Sequence, residues 1–292
     1  MSPDTFEIAK AISSLRGETD YFKDYIYPLI STTGSVIAGY FIASYSFKKQ
    51  ERIKSEVDQV NKLNEFFISI DGGLQTLIAI KSIYGGRIDS NPITRAMSIP
   101  RIECHISEPP DTRTIVFLSK GNMLSKGQPY YSTWNNVPRI SAMVGNYSHL
   151  CKRIIDRNNL KTDISHLLKY TGNGEGYVDF DTASPKDLRV IRMLVDATES
   201  VISLVDGLIK EYYSFLIHMH AAASKSIDKK LIKDYVEMLS YSNDSEMFRS
   251  QLEPCPPIDI ELLADVLQVT KQNAEELYVT GYETVPINHE PL

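Results

Sequence analysis

From Tyr25 to Phe47 the chain reads YIYPLISTTGSVIAGYFIASYSF, twenty-three residues without a charged side chain. Lys23 and Asp24 precede this run, and Lys48, Lys49, Glu51 and Arg52 follow it. A helix rises about 1.5 Å per residue, so the run reaches about 34 Å, against a hydrocarbon core of about 30 Å. Buried helices of soluble domains are usually shorter than this, so the segment constrains the fold more than any other. Pro28 falls in the first turn, where its missing N–H costs little. Tyr25 and Tyr27 at one end, and Tyr45 and Phe47 at the other, suit the polar boundary of a bilayer, with Tyr40 deeper. Pro28, Gly34, Gly39 and several Ser and Thr keep the run only moderately apolar, so a buried core helix is the competing reading. The expectation is a single transmembrane helix.

Within that segment Ser35, Gly39 and Ala43 recur every fourth residue, with Gly34 and Ala38 as a second pair beside them. Such a row lets another helix backbone approach closely, and Thr32 or Ser35 is positioned to supply an interhelical hydrogen bond. This face predicts a homo-oligomer. Lys48, Lys49, Arg52 and Lys54 suit contact with anionic lipid headgroups. They outnumber Lys10, Arg16 and Lys23 before the segment, so the positive-inside rule predicts an outside N-terminus and a cytoplasmic C-terminal part at a cell (inner) membrane. The first 24 residues lack a basic n-region, which predicts an uncleaved anchor.

The residues beyond the anchor suffice for one large or two small domains. Formal net charge is −6. Beyond the juxtamembrane lysines and arginine there is no basic run, which makes nucleic acid an unlikely partner, because phosphate neutralisation needs clustered cations. Cys104, Cys151 and Cys255 are odd in number and far apart, as expected of free thiols in a reducing compartment.

The expected fold is mostly α: the transmembrane helix continues into a long helix, followed by a cytoplasmic helical bundle with a loop-rich insertion. The segments are a polar N-terminus over 1–24, the span over 25–47, a juxtamembrane helix over 48–86, the loop-rich segment over 87–136, the bundle over 137–253, and a helical hairpin and tail over 254–292. Ile53, Val57, Val60, Phe67 and Leu74, with Leu63 and Ile70 beside them, form one face of the long helix. Gly72-Gly73 is a candidate kink and Gly85-Gly86 a stop. Asn64 and Asp71 fall on or beside that face and are expected to be partly exposed. Thr112 to Leu118 suits a short strand or a helical turn. Asn136 opens a helix whose face is Ile140, Met143, Val144, Tyr147, Leu150, Cys151 and Ile154. A short helix is predicted over Asp163 to Tyr170, and a loop over Thr171 to Thr182.

Ser184 followed by Pro185 is a strong helix start. From there Ile191, Val195, Thr198, Ile202, Val205, Ile209, Tyr212, Leu216, Met219 and Ala223 alternate in steps of four and three. Leu194, Ala197, Val201, Leu204, Leu208 and Phe215 make a second row, so this helix is expected to meet more than one neighbour. A further helix is predicted after Ser226, through Leu231, Ile232, Tyr235, Val236 and Leu239. Pro254, Pro256 and Pro257 break the chain before the last hairpin.

In Ile260 to Tyr278, Asp259 and Thr270 cap two short helices, and Ala264, Val269 and Ala274 take small or apolar positions around the turn. Over these roughly 20 residues the segment resembles the helix-turn-helix family of DNA readers. Gln268 stands where glycine is usual, and Glu275 and Glu276 would repel phosphate, so a small helical hairpin for packing or partner contact is the expected use. Thr171 to Gly176 lacks the Lys and Ser/Thr of a phosphate loop, and with Asn173, Glu175, Asp179 and Asp181 it misses EF-hand spacing. His218 and His220 point about 200° apart on a helix and cannot share a metal. Cys104-His105 and His149 with Cys151 are weak evidence for a catalytic dyad. No cofactor is expected.

These readings favour a non-catalytic scaffold or partner-binding protein that oligomerises at the membrane. One alternative is a pore-forming effector assembled through its anchors. Another is an enzyme with a dispersed site between Gly85 and Pro138.

Overall fold

A computed structural model describes residues 3–15, 22–104, 109–119, 134–170, 176–179, 182–243 and 245–278. The fold is mostly helical and contains one long N-terminal apolar helix. The chain divides into two compact units, Met1–Ser55 and Glu56–Leu292. Helix α1 (Pro3–Leu15), a π turn (Phe22–Ile26) and the first half of helix α2 (Tyr27–Tyr84) belong to the first unit. Helix α2 is assigned unbroken through Gly72-Gly73 and ends at Tyr84. Gly85 N–H closes on Lys81 O at 2.7 Å, and Gly86 takes a left-handed φ of 74° that glycine adopts without steric cost.

The core of the second unit follows from helical periodicity. Val60, Leu63, Phe67, Ile70, Leu74 and Leu77 of α2 are buried at steps of three and four. They share one core with helix α4 (Val137–Asp163), helix α5 (Pro185–Ala223) and the 3-10 turn Thr112–Ser119. All ten residues of the expected α5 seam are buried, and of its second row only Leu204 is partly exposed. Each fully buried Leu, Ile or Phe contributes about 1.5–3 kcal/mol, which is why α5 forms the centre of this unit. Its start is a reciprocal cap: Ser184 Oγ accepts from Asp187 N–H, and an Asp187 oxygen accepts from Ser184 N–H at 2.9 Å. Trp134 packs edge-on against Phe215 and donates from Nε1 to Ser214 Oγ at 3.0 Å.

A second cluster joins the first turns of α5 to helix α3 (Pro92–Ser98) and the hairpin of helices α8 (Ile260–Leu267) and α9 (Lys271–Tyr278). Leu263, Ala264 and Ala274 of the hairpin are buried there. Gln268 closes α8 in the left-handed region at φ 56°, the position where glycine was expected. Tyr278 Oη is bonded to Asp196 on α5, which ties the hairpin to the core.

Three expectations are corrected. The predicted helix over Asp163 to Tyr170 does not form: α4 ends at Asp163, a 3-10 turn covers Ser165–Leu167, and Leu168–Tyr170 is strand β1. The predicted loop over Thr171 to Thr182 contains strand β2 (Gly176–Val178), which pairs antiparallel with β1. The helix predicted after Ser226 is only the single turn α6, Lys229–Ile232. Beyond it Asn64 of α2 donates to Glu237 O at 2.9 Å and accepts from Leu239 N–H at 3.0 Å. Those backbone groups bond to a side chain of α2 rather than to a helix of their own. Thr112 to Leu118 takes the helical rather than the strand alternative.

Candidate functional site

Over Tyr25–Phe47 no described residue is buried. Tyr27, Leu29, Val36, Tyr40, Ile42 and Tyr45 are each about two-thirds exposed or more. The other residues of the run are exposed as well, Ser44 alone being intermediate, so the segment has no core-facing stripe. The same helix behaves differently further on. Its most apolar window is 39 % buried, and that window must reach into the half that carries Phe66, Ile70, Leu74 and Leu77. Hydropathy alone therefore does not separate the two halves of α2; exposure does.

Gly34 and Gly39 have open space where a Cβ would stand, and Ala38 and Ala43 are exposed beside them. Ser35 lies on the same side, but its hydroxyl donates back to Ser31 O at 2.7 Å, and Thr32 donates to Pro28 O at 2.7 Å. The donors expected to reach another helix are used within α2. This satisfies them without water, leaving close packing as the means of association on this face. Lys48, Lys49, Arg52 and Lys54 follow within the same unit, all exposed.

In the second unit a cleft of about 180 Å³ is lined by Gly72, Gly73, Pro109, Pro110, Tyr147 and Tyr212. Small-molecule sites generally start near 300 Å³. Gly73 is here for contact: a Cβ on it would meet Tyr212 Cε2 at 2.7 Å. Tyr147 stacks on Tyr212 with centroids 6.0 Å apart. Burial pushes the Tyr147 phenol up to about 12, with Cys151 and Cys104 adding to the rise. Those two cysteines, expected to be separate, are in sulfur contact at 2.6 Å. His149 is exposed, and His105 lies outside the described residues.

Buried cations satisfy backbone that cannot pair with itself. Arg157 is fully buried; Nε donates to Thr198 Oγ1 at 3.1 Å, Nη1 to Pro100 O at 2.9 Å, and Nη2 to Ala96 O and Ile99 O. Lys161 donates to Met97 O at 2.9 Å and also to Ile99 O. Together they cap the carbonyl end of α3, where unpaired C=O groups and the helix dipole favour positive charge. Burial lowers Arg157 to about 10 and Lys161 to about 8.

The proline-bearing segment after helix α7 (Glu246–Leu252) is held in the same way. Lys81 donates to Gln251 O and Glu253 O and pairs with Asp206 at 2.8 Å. Asp206 accepts from Cys255 N–H at 2.7 Å, and Arg95 donates to Pro256 O at 3.1 Å. Arg95 Nε lies 3.3 Å from Glu199 Oε1, yet desolvation outweighs the pairing and raises the Glu199 carboxyl to about 7.

His220 Nε2 sits 3.0 Å from Lys229 Nζ, and His218 is exposed. The Thr171 to Glu175 stretch and Asp181 lie outside the described residues. The sequence reading missed the Cys104–Cys151 pair, whose partners are 47 positions apart with no shared motif. It also missed Arg157, for which a signal existed: it stands three residues after Ile154, on the apolar face of α4. No known family's profile matches the chain, and no curated protein and no solved structure matches it.

Proposed function

We propose that this is a single-pass membrane protein anchored through Tyr25–Phe47, with its second unit on the cytoplasmic face as a helical bundle that acts without catalysis. It oligomerises through the Gly34, Ser35, Ala38, Gly39 and Ala43 face and presents the bundle to a protein partner. The observation that carries the anchor is an uncharged apolar run, Tyr25–Phe47, along which no residue is buried. Such a surface costs free energy in water and is stabilised in hydrocarbon. Lys48, Lys49, Arg52 and Lys54 supply the attraction to anionic headgroups and the charge bias for orientation. Arg95, Arg157, Lys161 and Lys81 are spent on backbone carbonyls and buried carboxylates, which supports a structural rather than a catalytic use of these cations.

Fractionation with a carbonate wash tests the anchor: the full chain sediments with membranes, and a chain lacking residues 1–47 does not. A full chain that is soluble without detergent sinks the reading. Gly39→Leu fills the open face and should shift detergent-solubilised oligomers toward monomer by cross-linking; an unchanged ladder moves the interface elsewhere. Dissipation of membrane potential on expression would instead favour a pore.

A further inference from the structure

We propose that Cys104 and Cys151 are a reversible disulfide site, closed by a hydroperoxide and reopened by a dithiol reductant. The backbone delivers the two sulfurs independently of their contact. Asn158 of α4 holds Ile102 from both sides, accepting from its N–H at 3.2 Å and donating to its C=O at 2.7 Å. Cys104 therefore follows a docked residue by two positions, while Cys151 lies two helical turns before Asn158 on the same helix. The sulfurs meet at 2.6 Å, inside the separation of non-bonded sulfur atoms. Cys151 is fully buried and Cys104 is half-buried, so an oxidant reaches the pair through Cys104. The hydrogen bond between them raises the Cys104 thiol and lowers that of Cys151, so Cys151 takes up the proton that Cys104 gives up as it reacts.

The chemistry balances with one peroxide. With hydrogen peroxide, the Cys104 thiol gives up its proton, its sulfur attacks one peroxide oxygen, the O–O bond breaks, and the departing oxygen leaves with that proton as water, giving a sulfenic acid. Cys151 then attacks that sulfur, forming the S–S bond and releasing a second water. Two thiols are oxidised and one peroxide is reduced. The closed bond fastens Cys104, five positions before Pro109 of the Tyr147 cleft, onto α4. Cys255 is a built-in control: its sulfur lies 3.7 Å from Asp206 Oδ1 rather than on another cysteine.

The test uses the full chain in detergent, treated with hydrogen peroxide or left reduced, then denatured and labelled with a maleimide. Reduced protein should take three labels and oxidised protein one, with three restored by dithiothreitol. Digestion should yield a Cys104–Cys151 linked peptide. Cys104→Ser should keep two labels under both treatments, and Cys255→Ser should fall from two to none. Closing a 47-residue loop should lower the unfolding constant about 10³-fold, read as a higher urea midpoint. Retention of three labels, a linked peptide containing Cys255, or a bond between two copies would each overturn the proposal.

Discussion

If Tyr25–Phe47 spans a membrane as proposed, a single carboxylate at Val36 should release the protein from it. Val36 stands near the middle of the uncharged run and is 67 % exposed, so its replacement removes no packing. The strongly apolar residues of the segment are Ile26, Leu29, Ile30, Val36, Ile37, Phe41, Ile42 and Phe47. At about −0.3 to −0.6 kcal/mol each they favour insertion by roughly 2.5–5 kcal/mol, before Ser, Thr, Gly and Pro reduce it. Val36→Asp adds about 3 kcal/mol and removes about 0.4, a change of several hundredfold in the insertion equilibrium. The anchor is then near balance, and the carbonate-washed pellet should lose at least half of the protein. Ile68→Asp is the matched control: the same helix, a residue 62 % exposed, but one in the unit that begins at Glu56. It should leave the pellet unchanged. The reasoning is refuted if Val36→Asp sediments like the parent chain, or if Ile68→Asp is released to the same degree.

Other substitutions probe the second unit. Gly72→Ala meets nothing within 4 Å and should stabilise by about 0.5–1 kcal/mol through helix propensity, whereas Gly73→Ala drives a Cβ into Tyr212 and should destabilise by about 1–3 kcal/mol less that gain; urea midpoints moving the same way for both would contradict the contact. Arg157→Met leaves the carbonyls of Ala96, Ile99 and Pro100 without a donor and should cost about 3–5 kcal/mol, read by thermal unfolding. Glu199 binds its proton more tightly folded than unfolded, about 7 against 4.5, so the stability it contributes is full below pH 4.5 and is lost as pH rises through 7. Glu199→Gln should remove that slope between pH 4.5 and 7, and an unchanged slope would assign it to another group.

The long helices were legible because their signals are local. Ser184, Pro185 and a ten-residue seam specify where α5 starts and which side it buries, and every seam residue is buried. Gly85-Gly86 likewise marks the end of α2. Errors fell where long-range bonds decide the backbone. Nothing near Glu237 or Leu239 announces that Asn64, more than 170 positions earlier, takes their hydrogen bonds. The Leu168–Tyr170 strand is three residues long and depends on a partner eight positions away, too little alternation to outweigh a helical reading. The cysteine pair is of the same kind: each thiol is unremarkable in its own segment, and bonds from α4 to Ile99, Pro100 and Ile102 bring them together.

Helix α2 shows why composition could not separate anchor from core. Both halves are apolar, and the more apolar stretch is partly buried. The distinguishing property is periodicity. Beyond Val57 apolar side chains recur at threes and fours, and polar ones such as Lys62 and Asp58 fill the other side and pair with each other at 2.7 Å. Between Tyr25 and Phe47 the side opposite most of the large apolar residues carries mainly small ones such as Ser31, Ser35 and Gly39, and no charge marks a wet side. A soluble helix needs a polar face, whereas a lipid-exposed one does not. The loss of the polar face at Phe47, rather than any rise in hydropathy, is what marks Tyr25–Phe47 as the candidate anchor, and the Val36 and Ile68 substitutions measure that difference directly.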